Sequence, residues 1–282
     1  MTGVLLAAPV ATADDEKGTA VIKGVVKLNA PKPTSKDISM AQDPVCRQAH
    51  AGKKVKPQAD LVFDDGTLPY VFVHVTKGLT SKYTEKSWPI RKDKNGQEHK
   101  DVQIDQKGCM YTPHVQGMMA GQPLRIVNSD PTVHNINARP RNSDGFNFAQ
   151  NKQGLVAIRK DKQTFNKPEI MVQVKCDVHP WMSAFIGVCD HPFFATTGKG
   201  GIFEIKGLPA GTYTLEAWHE RWGRVEQTVT VKDGETTEIE LAFAEKEKAQ
   251  APIRPEPVPA LASGASSSRN CCSGSPNDRA SD

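Results

Sequence analysis

The sequence predicts an all-β protein. Glycine and proline are plentiful, at 22 and 20 of 282 residues. Short runs that alternate apolar and polar residues recur along the chain, and no stretch sustains a 3.6-residue apolar period. The length allows one large or two modest domains. A net charge of +4, spread along the chain rather than gathered in blocks, argues against a nucleic-acid partner. No segment has the length and apolarity of a transmembrane helix.

The elements follow in order. Residues 1–13 hold a short apolar run ending in Ala11-Thr-Ala13 before Asp14-Asp15-Glu16, which reads as the end of an export signal and places the protein in the periplasm or another exported compartment. The basic start of such a signal is missing, so a plain apolar tail is the alternative. Residues 18–28 read as a strand. Residues 31–99 form an irregular connecting region with one clear strand at 68–75 and a polar surface loop at 81–100, hairpin-like at Lys94-Asn-Gly96. Residues 124–128 are a strand running into the Asp130-Pro131 turn. In 169–175, Ile170, Val172 and Val174 share one face of a strand that ends at Cys176, and strand character resumes at 183–188. Residues 224–231 and 236–243 alternate and are joined by a Lys-Asp-Gly hairpin turn. From residue 245 onward the composition shifts to Glu, Lys, Ala and Pro, then Ser and Gly, which cannot bury a core and predicts a disordered tail containing Cys271 and Cys272.

The chemistry is concentrated in Cys176-Asp-Val-His179-Pro-Trp-Met182. A thiolate, an imidazole and a thioether at positions 1, 4 and 7 of one loop suit copper cycling between Cu(I) and Cu(II), with Cys and His in a plane and Met as a long, weak bond. A second His is needed, and His134, in Asp-Pro-Thr-Val-His134-Asn135, is placed to supply it. Zinc also takes Cys and His, but gains little from a thioether, and no Cys-x-x-Cys spacing accompanies the motif. A binuclear copper site needs a second nearby Cys, and Cys189 lies well beyond Met182. Pro180 stiffens the loop after His179.

These residues resemble the cupredoxins, the plastocyanin and amicyanin-like blue copper proteins. Cys-x-x-His-Pro-aromatic-Met is similar to the short ligand loop of amicyanin, and His-Asn after a strand and turn is similar to the upstream ligand loop. The resemblance covers about 100–192 and implies a Greek-key sandwich holding one type 1 copper ion. It also implies that Asn135 ties the two ligand loops together with its N–H near the Cys176 sulfur. Pro180 and Trp181 would ring a solvent-facing edge of His179, the port for electrons.

A second resemblance surrounds the first. Gly-Ile-Phe-Glu-Ile at 201–205, Gly-Leu-Pro-Ala-Gly at 207–211 and the Tyr-containing run after it are similar to the carboxypeptidase regulatory-like, transthyretin-type sandwich. Its strands would come from 18–30 and 197–244, with the copper domain inserted between them; a tandem arrangement is the alternative.

With Cys176 reserved for copper, Cys46 and Cys109 are expected to pair in an oxidising compartment, pinning the connecting region to the copper domain; two free thiols are the alternative. His114, His191 and His219 are expected to be structural, with a second metal site as the competing reading. No nucleophile, phosphate loop or acid–base constellation is apparent, so an electron carrier serving redox partner proteins is expected rather than an enzyme. A copper-storing scaffold that docks to a larger envelope complex through the regulatory-like sandwich is the alternative.

Overall fold

The computed structural model describes residues 17–51 and 53–244. The expected export segment and the expected tail, with Cys271 and Cys272, lie outside them. The described chain is all-β apart from a six-residue helix, Pro44–Ala49, and short 3-10 turns. Two sandwiches are built.

The outer sandwich has a three-stranded sheet, ordered Ile202–Leu208, Ala20–Asn29, Thr236–Ala244, and a four-stranded sheet, ordered Phe194–Thr196, Phe72–Lys77, Gly211–His219, Gly223–Val231. Alternation does the sorting. In Ala20–Asn29, Ala20, Ile22, Val26 and Leu28 are buried, while Lys23 and Lys27 pair on the outside with Glu204 and Glu240.

The inner sandwich faces a five-stranded sheet, Phe146–Gln150, His134–Arg139, Glu169–Lys175, Ser183–Cys189, Val115–Met119, with a four-stranded one, Val156–Arg159, Leu124–Asn128, Val102–Gln106, Tyr111–Thr112. Ile104, Leu124 and Ile126 from one sheet meet Ile136, Val172, Val174 and Ile186 from the other, all fully buried. Ser183–Cys189 and Val115–Met119 pair in parallel, so the chain must cross over between sheets to join them.

The inner sandwich is inserted between neighbouring strands of the outer one. The chain leaves through Phe72–Lys77 and returns through Phe194–Thr196, which pair antiparallel, Phe72 opposite Thr196. The strand expected at 68–75 therefore belongs to the outer sandwich rather than to a connecting region. It starts later, because Pro69 donates no hydrogen bond and Tyr70 takes φ 60°. Within 81–100 the expected loop closes on a two-residue ladder, Arg91–Lys92 with Glu98–His99, where Asp93 Oδ1 accepts the Asn95 and Gln97 amides at 2.9 Å each.

The sandwiches abut at Phe72, Val115, Phe185 and Cys189. Gly117 and Gly187 face each other across two strands and leave a notch for aromatic rings. A Cβ on Gly187 would lie 2.4 Å from the Phe72 ring, and one on Gly117 2.3 Å from the Phe194 ring. Here glycine is required by close approach.

Candidate metal centre

The centre lies at one end of the inner sandwich. Lys175 and Ser183 are paired across the last two strands of its ligand hairpin. The loop between them is drawn closed by Cys176 N donating to Met182 O (3.2 Å) and Met182 N donating to His179 O (2.9 Å). Cys176, His179 and Met182 are all buried, at 3%, 2% and 0% exposure, on the inner core. His134 opens its strand on the adjacent loop and is 0% exposed.

Three side chains converge. His134 Nδ1 is 2.9 Å from His179 Nδ1, and Cys176 Sγ is 3.8 Å from the same atom. Donor atoms of His134, Cys176 and His179 all lie within 4.8 Å of one another. The opposite ring nitrogens are anchored: His134 Nε2 donates to Asp130 Oδ2 at 2.9 Å and His179 Nε2 to Asp43 Oδ2 at 3.0 Å. Carboxylates behind both imidazoles fix the tautomer that turns Nδ1 inward.

Two Nδ1 atoms cannot face each other at this distance with two lone pairs and nothing between. Burial disfavours a charge on His134, but Asp130 and then the Cys176 sulfur outweigh it and lift its pKa to about 9. Burial likewise opposes a thiolate at Cys176, yet His134 and the amides of Asn135, His179 and Val178 draw the thiol down to about 7. The shifts favour an imidazolium at His134 beside a thiolate at Cys176, a charge pair where the donors meet.

Asn135 joins the two loops. Its Oδ1 accepts the Asp177 amide at 2.5 Å, its Nδ2 donates to Asp177 Oδ2 at 2.9 Å, and its carbonyl accepts the Tyr111 hydroxyl. Trp181 is half-buried, with Nε1 donating to Cys109 O at 3.0 Å and its ring 5.1 Å from His179. Pro180 is exposed.

The structure departs from expectation at the port. The His179 edge does not face solvent, because chain from the connecting region covers it. Asp43 begins the helix Pro44–Ala49, accepting the Cys46 amide at 3.0 Å, with Pro44 in the first turn. Cys46 and Cys109 are disulfide-bonded with their Cα atoms 5.4 Å apart, and Cys46 Sγ rests 3.6 Å from His179 Nε2. Asp43 and Asp130 are the residues that sequence reasoning missed. Asp43-Pro44 is a recognisable helix start, but nothing in it points to His179.

His114, His191 and His219 do not share a donor cluster among the described residues. His114 spans Ser183 O and Glu220, at 2.9 Å each, and His219 accepts the Arg221 amide at 3.1 Å. His191 instead sits beside His74 and Cys189, with donors within 4.8 Å. Its Nε2 donates to Val75 O at 2.9 Å and its Nδ1 accepts from Phe193 N at 3.1 Å, so both nitrogens are occupied. Burial holds His74 and His191 below the usual imidazole range and pushes the Cys189 thiol up, which leaves a neutral packing cluster.

With that geometry in place, comparison with known proteins gives partial likenesses. A copper-containing nitrite reductase from Thermus scotoductus SA-01 matches 31% of this chain at 21% identity and TM-score 0.28, the match spanning 22% of that chain. A purple cupredoxin from Nitrosopumilus maritimus matches 31% of this chain and 99% of its own, at 21% identity and TM-score 0.26. The likenesses are to copper proteins. A reduced amicyanin variant matches 31% of this chain and 81% of its own, at 17% identity and TM-score 0.24. No family model matches the chain, and no curated protein does.

Proposed function

We propose that this protein is an exported copper protein that passes single electrons between redox partner proteins, with His134, Cys176, His179 and Met182 as ligands. The observation that carries the reading is the convergence of two Nδ1 atoms and one sulfur on a buried point. One thiolate and two imidazoles suit copper, which supplies a one-electron Cu(II)/Cu(I) couple when bound. Met182, buried on the same loop, is the weak fourth donor.

Burial supports a carrier over an enzyme. His134, Cys176 and His179 are at most 3% exposed, so a substrate reaches no donor atom unless the chain over them moves. Electrons do not need such access. With the His179 ring covered, a short covalent way out runs from Cys176 to Asp177 and Val178, both exposed, Val178 at 48%. This replaces the His179 edge as the contact for a partner. The Cys46–Cys109 disulfide supports an oxidising, exported location.

The test is to titrate the copper-free protein with Cu(II) and follow the visible spectrum through repeated reduction and reoxidation. One equivalent giving a strong band that bleaches and returns supports a carrier. Copper that leaves on reduction points to storage instead.

A further inference from the structure

The chain over His179 does not come from the inner sandwich. After Asn29, the end of an outer strand, it runs across the ligand end of the inner sandwich before rejoining the outer one at Gly66–Leu68, which bond back to Leu28 and Val26. Besides a His50 Nε2–Gly108 O contact of 2.6 Å, three fastenings hold this cap. Ile38 N donates to Val55 O at 2.8 Å, and both side chains, with Met40, lean on the inner core. Cys46 is bonded to Cys109. Asp43 makes the third, and its two oxygens divide the work. Oδ1 accepts the Cys46 amide and starts the helix, while Oδ2 accepts from His179 Nε2 at 3.0 Å and Thr132 Oγ1 at 3.2 Å.

We propose that Asp43 is a positioning residue of the metal centre, delivered by the cap: its carboxylate holds His179 with Nδ1 turned inward and sets a negative charge behind the ring that favours Cu(II) over Cu(I). This rests on the copper reading above. A carboxylate accepts only, so the nitrogen facing it must carry the hydrogen, and the ring cannot turn over without losing that bond. The hydrogen bond also makes the imidazole a stronger donor. A stronger donor stabilises the higher oxidation state more, which lowers the potential. The inner sandwich thus supplies Asp130 behind His134 from its own loop and borrows Asp43 behind His179 from the long connection of the outer one.

Two substitutions separate this role from the helix start. Asn and Ser both begin helices as well as Asp, so neither should unravel the cap. Asp43→Asn keeps an acceptor near His179 and removes the charge; Asp43→Ser is too short to reach the ring. In copper-loaded protein, Asp43→Asn should keep the visible band and shift the Cu(II):Cu(I) affinity ratio about tenfold toward Cu(I), a rise of about 59 mV for one electron. Asp43→Ser should shift it at least as far and speed copper removal by an added Cu(I) chelator several-fold. In copper-free protein, nitrogen NMR should show a slowly exchanging His179 Nε2–H that Asp43→Ser loses and Asp43→Asn retains. Unchanged potentials in both variants would overturn the proposed tuning, and an unchanged His179 signal in Asp43→Ser would overturn the positioning. Failure of the wild type to bind copper would defeat the copper reading, and the metal-free NMR would still decide whether Asp43 orients His179.

Discussion

At the scale of single residues, the proposed metal centre sets a cation in competition with protons. With His134 titrating near 9 and Cys176 near 7, the metal-free site holds an imidazolium beside a thiolate between those values. Bound copper requires both groups deprotonated. Loading therefore displaces one proton, from His134, between pH 7 and 9, and a second, from Cys176, below 7. Copper affinity should fall roughly tenfold per pH unit in the first interval and roughly a hundredfold per unit below it, measured by chelator competition across pH. A flat profile would mean these groups do not ligate. Met182→Leu should retain copper and colour and raise the potential, since a lost weak donor costs Cu(II) more than Cu(I); an unchanged voltammogram would reduce Met182 to packing. Val178→Lys sets like charges together when two copies meet. It should slow electron self-exchange several-fold at low salt, less at high salt, with the spectrum intact.

At the scale of elements, the ligand hairpin and the cap differ in how they can be read from sequence. Cys176, His179 and Met182 are legible because their chemistry sits in seven consecutive residues between two alternating strands. His134 is legible because a strand and a Pro turn precede it. The cap is not legible: six helical residues are too few for a period, and Asp43 meets His179 across 136 positions with no local trace. That is why the His179 edge was expected to be open. The element-scale test is removal of the disulfide. Cys46→Ser with Cys109→Ser frees a loop of 63 residues' separation, for which chain entropy predicts a loss of about 4 kcal/mol, within the 2–5 typical of native disulfides. Denaturant midpoints should show that loss, together with faster chelation of copper. A variant as stable and as slow to release copper as wild type would mean that packing at Ile38, Met40 and Val55, with the bonds of Asp43 and His50, holds the cap without the disulfide.

At the scale of the whole molecule, two sandwiches share one continuous chain, and the join is a matter of shape. The alternating strands at 18–28, 224–231 and 236–243 are legible, as is their all-β consequence. Their assignment to one sandwich with Phe72–Lys77 and Phe194–Thr196 is not, since pairing partners 122 apart, as Val73 and Ala195 are, leave no periodic mark. Glycine inside a strand ordinarily weakens it, whereas the structure uses Gly117 and Gly187 as the notch for Phe72 and Phe194. Gly187→Ala presses a methyl against a fully buried ring and should cost about 1–3 kcal/mol by overpacking. Thermal unfolding checks this, and the copper spectrum should not change, because the notch is in the wall between sandwiches and not at the ligand end.

The most direct measurement of the central claim is a Cu(II) titration of wild type beside Cys176→Ser, followed by visible absorption. The convergence of His134, Cys176 and His179 predicts a strong thiolate-to-copper band that saturates at one equivalent in wild type and is absent from Cys176→Ser. A wild type without the band, or a Cys176→Ser variant that keeps it, would contradict the assignment.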